Sequence, residues 1–450
     1  MINNKNIAII GYGQEGYSTA KYLAQGNNFS VFDDNSKSKI PEAYFKLPPN
    51  SNVKFYFGGD NPGNLNKFDL VVRSPGIQLN HPLLNAFVQK NIPITSPTNI
   101  FFDNCPSQII GITGTKGKGT TSTLIYNFLK TKFKDVFLAG NIGTPMLDIL
   151  PQLSKHSKVV LEMSSFQLID LKKSPHVAVV LMVTSEHLDW HKNRNEYIEA
   201  KRNITKFQTN YDFTVANDDF AASLDISMAS KGKILFFSTL KKVKGVYVRE
   251  DQVISSIQKE EVVCSTKDVL IPGKHNLQNV CASVAVAKIF NVKNSEIKKV
   301  LSSFKGLEHR LQLVRTKNGV KFYNDSFSTT PETTIAAIEA FNAPKILIIG
   351  GSSKNADFST LISKIASESS IKKIILIGQE GEKIHHLLEE VNYKKMVITR
   401  NKTMEDIVKE ASESSKSGDV VILSPGCASF DMFKNYKDRG FQFIKFVNSL

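Results

Sequence analysis

Between residues 108 and 121 the chain passes from the apolar stretch Gln108-Ile109-Ile110-Gly111-Ile112-Thr113 into Gly114-Thr115-Lys116-Gly117-Lys118-Gly119-Thr120-Thr121. These residue types, in this order, suit a phosphate. Glycines let the backbone approach closely, and the N–H groups of the loop and of a following helix attract anionic oxygens. Lys118 neutralises β/γ charge, while Thr120 or Thr121 offers a hydroxyl to Mg²⁺. A plain glycine turn needs neither the lysine nor the hydroxyls. Farther on, Glu162 ends another apolar run and is a hard oxygen donor for a divalent cation. His187 follows a further apolar run, in Glu186-His187-Leu188-Asp189, and either His187 or Glu186 can hold a second metal. A step in which two anions must meet, such as attack of a carboxylate on a γ-phosphate, calls for this collection of cations.

A second glycine turn lies at the N-terminus. Gly11-Tyr12-Gly13-Gln14-Glu15-Gly16 is a complete GxGxxG after an apolar strand, with Asp33 seventeen residues beyond Gly16. Alone, it points to a dinucleotide site and an NAD-dependent oxidoreductase. Lys201, in an amphipathic helical pattern, reads by itself as a solvated surface lysine.

Composition narrows the classes. The 450 residues exceed one ordinary core and imply two to four domains. Net charge is +15, but the lysines and arginines are dispersed, so no nucleic-acid-binding block stands out. The four cysteines are far apart and form no CxxC pair, which excludes a zinc site or disulfide framework and fits a reducing cytoplasm. The first apolar run is short and breaks at glycines, unlike a signal peptide. No apolar stretch reaches the ~18 residues of a membrane helix, so no membrane insertion is expected.

The elements that must position these residues read as α/β throughout. Strands are expected at 7–10, 30–32 and 70–72, the last ending in Ser74-Pro75-Gly76. Prolines 93 and 97 close this first segment near residue 98. A strand over 108–113, the phosphate loop, a helix from about 120 to 130, and strands at 158–161 and 177–183 make a second unit. A small extra sheet is expected within 225–272, then a helix around 276–290. After residue 305 the α/β rhythm returns, with strands at 345–349, 373–377 and 420–424 ending in glycines or hydroxyls. Ligands gather outside such carboxyl ends.

Gly114 to Thr121 resembles the nucleotide loop of the Mur ligase superfamily, with Gly119 in place of the usual hydroxyl residue and the hydroxyl displaced to Thr120, as in the folylpolyglutamate synthases. The likeness extends along the chain. Ala139-Gly140-Asn141-Ile142-Gly143 looks like the family's GNIG turn, and Glu162-Met163-Ser164-Ser165-Phe166-Gln167 like its metal-binding E-x-SSFQ segment. Tyr197-Ile198-Glu199-Ala200-Lys201 matches the site of a carbamylated lysine, and His275-Asn276-Leu277-Gln278-Asn279 the helix beside adenine. Asn324-Asp325-Ser326 matches its NDS element. Leu423-Ser424-Pro425-Gly426-Cys427-Ala428-Ser429-Phe430-Asp431 resembles the LSP-x-x-ASxD segment of the glutamate-adding branch.

The resemblance implies a three-domain Mur architecture: a Rossmann-like UDP-substrate domain over 1–98, a P-loop ATPase-like domain over 99–305, and a Rossmann-like glutamate domain over 306–450. It implies ATP, Mg²⁺ and a carbamate on Lys201, with Thr120, Glu162, His187 and Lys201 around the metal and Lys118 on phosphate. Gly114 to Thr121, Asn276, Asn279, Arg310 and Asp325 would meet ATP. Gly11, Tyr12, Gly13, Asp33 or Asp34, Ser74, Pro75, Gly76, Asn141 and His187 would meet UDP-N-acetylmuramoyl-L-alanine. Thr329, Lys354, Ser429 and Tyr436 would meet glutamate. The expected enzyme is a cytoplasmic monomer joining D-glutamate to that nucleotide through an acyl phosphate, with a third domain that closes over ATP. One departure concerns the amino acid. Most D-glutamate-adding relatives read NDSKAT, whereas this chain reads Asn324-Asp325-Ser326-Phe327-Ser328-Thr329, so a lysine becomes Phe327. With Thr330-Pro331-Glu332 and His309-Arg310-Leu311-Gln312, this resembles a smaller branch that adds L-glutamate, the alternative reading.

Overall fold

Alternation decides how each strand is buried. In Lys345–Gly350, Leu347 and Ile349 join one apolar cluster, and Ile346 and Ile348 join another on the opposite face. Successive side chains of a strand point to opposite faces, so a continuous apolar run marks a parallel strand covered on both sides. The same logic holds for Asn6–Ile10, whose Ile7 and Ile9 face one cluster and Ala8 and Ile10 another. The computed structural model describes residues 2–49, 51–59, 63–141, 143–184, 190–353, 356–398 and 403–450.

Three sheets result. The first is wholly parallel, in the order β3-β2-β1-β4-β5, from β1 (Asn6–Ile10), β2 (Asn28–Asp33), β3 (Asn52–Phe57), β4 (Leu70–Arg73) and β5 (Ile94–Thr95). The second has nine strands: β6 (Gln108–Thr113), β7 (Val136–Gly140), β8 (Lys158–Glu162), β9 (Val177–Val180), β10 (Phe213–Asn217), β11 (Lys233–Ser238), β12 (Gly245–Arg249), β13 (Gln252–Ser255) and β14 (Glu261–Ser265). Their order is β14-β13-β12-β11-β10-β9-β6-β8-β7. The third, β15-β16-β20-β17-β18-β19, uses β15 (Gln312–Lys317), β16 (Val320–Asn324), β17 (Lys345–Gly350), β18 (Ile371–Ile377), β19 (Met396–Ile398) and β20 (Val420–Leu423).

The chain forms two compact units. Met1–Thr266 with Gln278–Val300 holds the first two sheets; Lys267–Leu277 with Leu301–Leu450 holds the third. Within the first unit one apolar cluster runs from Ile9 and Phe29 through Phe101 and Met146 to Leu161 and Val180, so its two sheets share a core.

Some expectations change. The separate small sheet at 225–272 does not form: β11 pairs in parallel with β10, and β12 to β14 continue the main sheet as an antiparallel meander. The strand expected over 177–183 ends at Val180, because Leu181 and Met182 turn over the phosphate loop. The hairpin β15–β16 was not expected. Its turn is Asn318-Gly319, both at positive φ (49° and 77°), the geometry that a two-residue hairpin favours.

Candidate active site

In β6 only the outermost residue, Gln108, reaches solvent, and the loop that follows emerges between the carboxyl ends of β8 and β9. Thr115 N–H donates to Met182 O (2.7 Å) and pins the loop. The helix Lys118–Lys130 begins directly behind it, two residues earlier than expected, with Gly117 as left-handed N-cap (φ 89°). A Cβ there would fall 2.2 Å from Asn279 Oδ1, so only glycine fits. Lys118 Nζ folds back to donate to Gly114 O (3.0 Å) and Thr115 O (3.1 Å). Thr121 is buried and donates to Asn279 Oδ1 (3.3 Å), whereas Thr120 is half-buried in the first turn.

Lys201 reaches this loop, and Glu162 ends the strand beside β6. Lys201 is 1% exposed, although its sequence context alone reads as surface. It projects from the helix Arg194–Lys206, with Nζ 3.2 Å from Thr113 Oγ1, 3.1 Å from Gly114 O and 4.6 Å from the centre of the Tyr197 ring. Tyr197 Oη is hydrogen-bonded to Thr115 Oγ1 at 2.9 Å. Glu162 ends β8 and is also buried; its Oε1 accepts from Asn141 Nδ2 (3.0 Å). Its Oε2 is buried without a hydrogen-bond partner among the described residues. A buried carboxylate oxygen left this way fits a divalent cation. Ser164 and Gln167 form a capping box that shapes the segment after Glu162. His187 and Glu186, and Ile142 of the GNIG turn, lie outside the described residues.

The N-terminal turn lies in the same unit. The backbone of Tyr12 donates to Asp33 Oδ2 (2.6 Å), and Asp33 Oδ1 accepts from Asn35 N–H and Nδ2 (both 2.9 Å). Asp34 is exposed and lies 3.1 Å from His81 Nε2. The Tyr12 side chain is wholly buried, and its hydroxyl donates to Tyr44 O (2.8 Å). A Cβ on Gly16 would meet Gly11 O at 2.1 Å, which explains the glycine. Ser74 Oγ donates to Gly11 O (2.7 Å), and exposed Gly76 accepts from Trp190 Nε1 (2.9 Å). Glu15 reaches the segment after Glu162, accepting from Gln167 Nε2 at 3.1 Å. Burial, with help from the Asp148 charge, pushes its carboxyl up to about 7 against the pull of that hydrogen bond.

The second unit has its own cleft, an opening of about 190 Å³ lined by Phe327, Thr329, Ala428, Ser429, Asn435 and Tyr436, with Phe430 at its edge. It brings together Thr329, Ser429 and Tyr436; Lys354 lies outside the described residues. Asp325 is buried behind it, accepting from Leu311 N–H (3.1 Å), Ser328 Oγ (2.5 Å) and Ser424 Oγ (2.8 Å). Burial raises its carboxyl to about 6, while those hydrogen bonds and the Arg310 charge hold it down. Asn276, in the first turn of the helix Lys274–Ile289, donates to Pro272 O (2.6 Å).

Two positioning residues escaped the sequence reading. Arg73, fully buried at the end of β4, donates to Asp170 (2.9 Å), to Pro75 O (3.1 Å) and Ile77 O (2.7 Å), and to Phe166 O (3.0 Å). It ties the Ser74–Ile77 loop to the segment after Glu162. Arg439, equally buried, donates to Ser326 Oγ (2.9 Å) and O (3.0 Å), Ala428 O (3.1 Å) and Cys427 O (3.2 Å), joining the two loops that make the cleft. The signal for Arg73 was an arginine closing an otherwise apolar strand; for Arg439 there was none.

Comparison with known proteins agrees with this geometry. Family models match in chain order: a Mur ligase MurD-like N-terminal domain over 5–96, a Mur ligase middle domain over 112–287, and a Mur ligase glutamate ligase domain over 309–427. The chain belongs to the Mur ligase family. Its relatives include the UDP-N-acetylmuramoylalanine--D-glutamate ligases of Acetivibrio thermocellus, 39% identical over all of this chain and 97% of the relative, and of Clostridium tetani, 37% identical over all of this chain and 98% of the relative. Among solved structures, the UDP-N-acetylmuramate-alanine ligase MurC of Thermotoga maritima superposes with a TM-score of 0.59 at 16% identity, covering 99% of each chain. The MurF ligase of the same organism, in complex with ADP, gives 0.58 at 18% identity, covering all of this chain and 95% of that one. At these identities the likeness is one of fold.

Proposed function

We propose that the protein is an ATP-dependent ligase that joins D-glutamate to UDP-N-acetylmuramoyl-L-alanine in peptidoglycan synthesis, releasing ADP and phosphate. The observation that carries this reading is the contact of Lys118 and buried Lys201 with one glycine loop, beside a strand that ends in buried Glu162, in a chain whose full-length relatives bear that activity in their names.

The loop N–H groups and Lys118 bind the phosphates of ATP. Glu162 Oε2 and the Thr120 hydroxyl hold Mg²⁺, and Thr120 is the better of the two threonines because Thr121 is already bonded to Asn279. Addition of the Lys201 amine to CO₂, with release of a proton to solvent, would give a carbamate whose oxygens could serve as anionic ligands. Mg²⁺, when bound, supplies the charge that lets the substrate carboxylate approach the γ-phosphate. Tyr197 and Thr113 fix the Lys201 side chain, and Asn141 holds Glu162 in place. The resulting acyl phosphate is taken by the glutamate amine, with Thr329, Ser429 and Tyr436 lining the amino-acid cleft and Lys354 assigned to the distal carboxylate. For the nucleotide substrate, the turn after β1, the Ser74-Pro75-Gly76 loop and exposed Asp34 are the contacts favoured.

The relatives' names put D-glutamate ahead of L-glutamate. An NAD-dependent oxidoreductase is disfavoured because Asp33 is engaged by its own loop. The test is ADP release with UDP-N-acetylmuramoyl-L-alanine and either D- or L-glutamate. Strict dependence on both substrates supports the reading. ADP release without them rejects it, and a more than tenfold preference for L-glutamate moves the chain to the other branch.

A further inference from the structure

His191 lies just ahead of the helix Arg194–Lys206 and is 2% exposed. A ring with two polar nitrogens is costly to take from water unless both are engaged. Its Nε2 is hydrogen-bonded to Ser165 Oγ at 2.9 Å, and its Nδ1 faces Glu196 Oε2 at 3.4 Å. A carboxylate opposite Nδ1 favours the proton there, which leaves Nε2 to accept from the Ser165 hydroxyl.

The two partners belong to different elements. Ser165 opens the short helix that follows Glu162. Glu196 stands in the first turn of the helix that carries Lys201. Glu196 is itself held: Oε2 accepts from Lys192 N–H (2.8 Å), and its own N–H donates to the N-cap side chain, Asn193 Oδ1 (3.0 Å). The imidazole therefore bridges the segment behind Glu162 to the start of the helix that delivers Lys201.

The ring contacts repeat this connection and extend it. Phe166 lies nearly parallel to the imidazole, 5.7 Å between centres and 24° apart. Tyr197, whose hydroxyl meets Thr115, packs edge-on at 5.4 Å and 73°. Trp190 packs at 4.7 Å and 70° and reaches a third element: its Nε1 donates to Gly76 O (2.9 Å), and its carbonyl accepts from Gln78 Nε2 (2.9 Å). His191 thus stands where the Ser74–Ile77 loop, the segment after Glu162 and the Lys201 helix meet. A phenylalanine would fill the same space, but only a ring with two opposed polar atoms ties the elements together.

We infer that His191 is a positioning residue that fixes the Lys201 helix against the segment after Glu162, and that through Trp190 it couples both to the loop proposed for the nucleotide substrate. This rests on the ligase reading and adds to it a link between the nucleotide-substrate side and the phosphate side of one unit.

Trp190 is the only tryptophan of the chain, so the intrinsic fluorescence of the full-length protein reports on this link without catalysis. Wild-type emission should respond to UDP-N-acetylmuramoyl-L-alanine and, separately, to ADP with Mg²⁺. His191→Phe keeps the ring stack and loses both polar contacts. It should keep the first response and lose most of the second. In steady-state ADP release it should lower kcat about tenfold, with KM for glutamate within about twofold of wild type. His191→Gln keeps a polar atom toward Ser165 and should recover about threefold in kcat, although it fills the space less well. Ser165→Ala removes one partner without touching the ring, and should lose about half of the response to ADP with Mg²⁺; it decides the matter where His191→Phe does not fold. Wild-type emission blind to ADP with Mg²⁺ overturns the inference. So does a folded His191→Phe protein that keeps both responses and its kcat, or a loss that follows melting temperature with Gln below Phe. Absence of glutamate-dependent ADP release from wild type overturns the ligase reading instead, and the fluorescence arms still decide the role of His191.

Discussion

The phosphate loop and the amino-acid cleft solve the same problem, holding an anion, with different materials. Around Lys118 the donors are backbone N–H groups and two helix-borne amines, Lys118 half-buried and Lys201 fully buried, and the Glu162 carboxylate is deeply buried. Around Thr329 the walls are rings and hydroxyls, and the Arg310 guanidinium leans on the exposed Phe327 ring. Fully buried Arg439 secures the cleft from behind through carbonyl and hydroxyl oxygens, whereas Arg73, with its Asp170 ion pair, ties the Ser74–Ile77 loop to the segment after Glu162. A site built from main chain has little freedom to vary. One built from side chains can change its lining one residue at a time.

The contrast breaks most visibly at Lys118. Lys118→Ala should lower kcat by about 10³-fold, roughly 4 kcal/mol of transition-state stabilisation, with the melting temperature nearly unchanged; near-normal turnover would remove the loop from the chemistry. Lys201→Ala should cost about 100-fold, near 2.7 kcal/mol, and added short carboxylic acids should recover part of it. Activity indifferent to this change would return the lysine to a structural role. The two arginines sharpen the comparison. Arg439→Met strands several buried oxygens and should destabilise the second unit by about 2–3 kcal/mol, visible as a lowered denaturation midpoint for that unit alone. Thr329→Val should raise KM for glutamate about tenfold, near 1.4 kcal/mol, leaving KM for ATP alone.

The smallest effect is a pH dependence at Glu15. Its carboxyl, ordinarily near 4.5, stands at about 7 in the fold, so the folded state holds the proton more tightly than the unfolded chain. Its contribution to stability is therefore complete below about 4.5, declines as pH rises to about 7, and is flat above. Glu15→Gln should remove that decline, and the gap in melting temperature between variant and wild type should widen across this window, to the order of 1 kcal/mol at pH 8. A constant gap would mean that Glu15 is ionised throughout.

Much of this was legible in the sequence because glycine, lysine and threonine in the phosphate loop leave few conformations open, and because runs such as Lys-Ile-Leu-Ile-Ile-Gly at 345–350 can only be covered strands. The residues that failed to announce themselves did so for physical reasons. Arg439 sits in a helix among polar neighbours, and only tertiary packing turns it inward; Lys201 has the same kind of surroundings and was marked by the resemblance alone. The β15–β16 hairpin did carry a signal, Asn318-Gly319, but its flanking strands are too charged to alternate cleanly. The meander β12 to β14 looked separate because its antiparallel turns resemble those of a free-standing sheet, whereas the pairing of β11 with β10 is set by residues far apart in the chain. The burial of the Tyr12 ring carried no signal in the motif, because the carbonyl that receives its hydroxyl belongs to Tyr44, far along the chain.

Asp33 carries one more consequence. In a dinucleotide fold the acid after the second strand reads a sugar with lone pairs to spare. Here its oxygens already accept from Tyr12 N–H and from two donors of Asn35. These bonds tie the acid to the glycine turn and to its own loop. Replacing Asp33 would then loosen the glycine turn for every ligand alike, instead of trading one sugar preference for another.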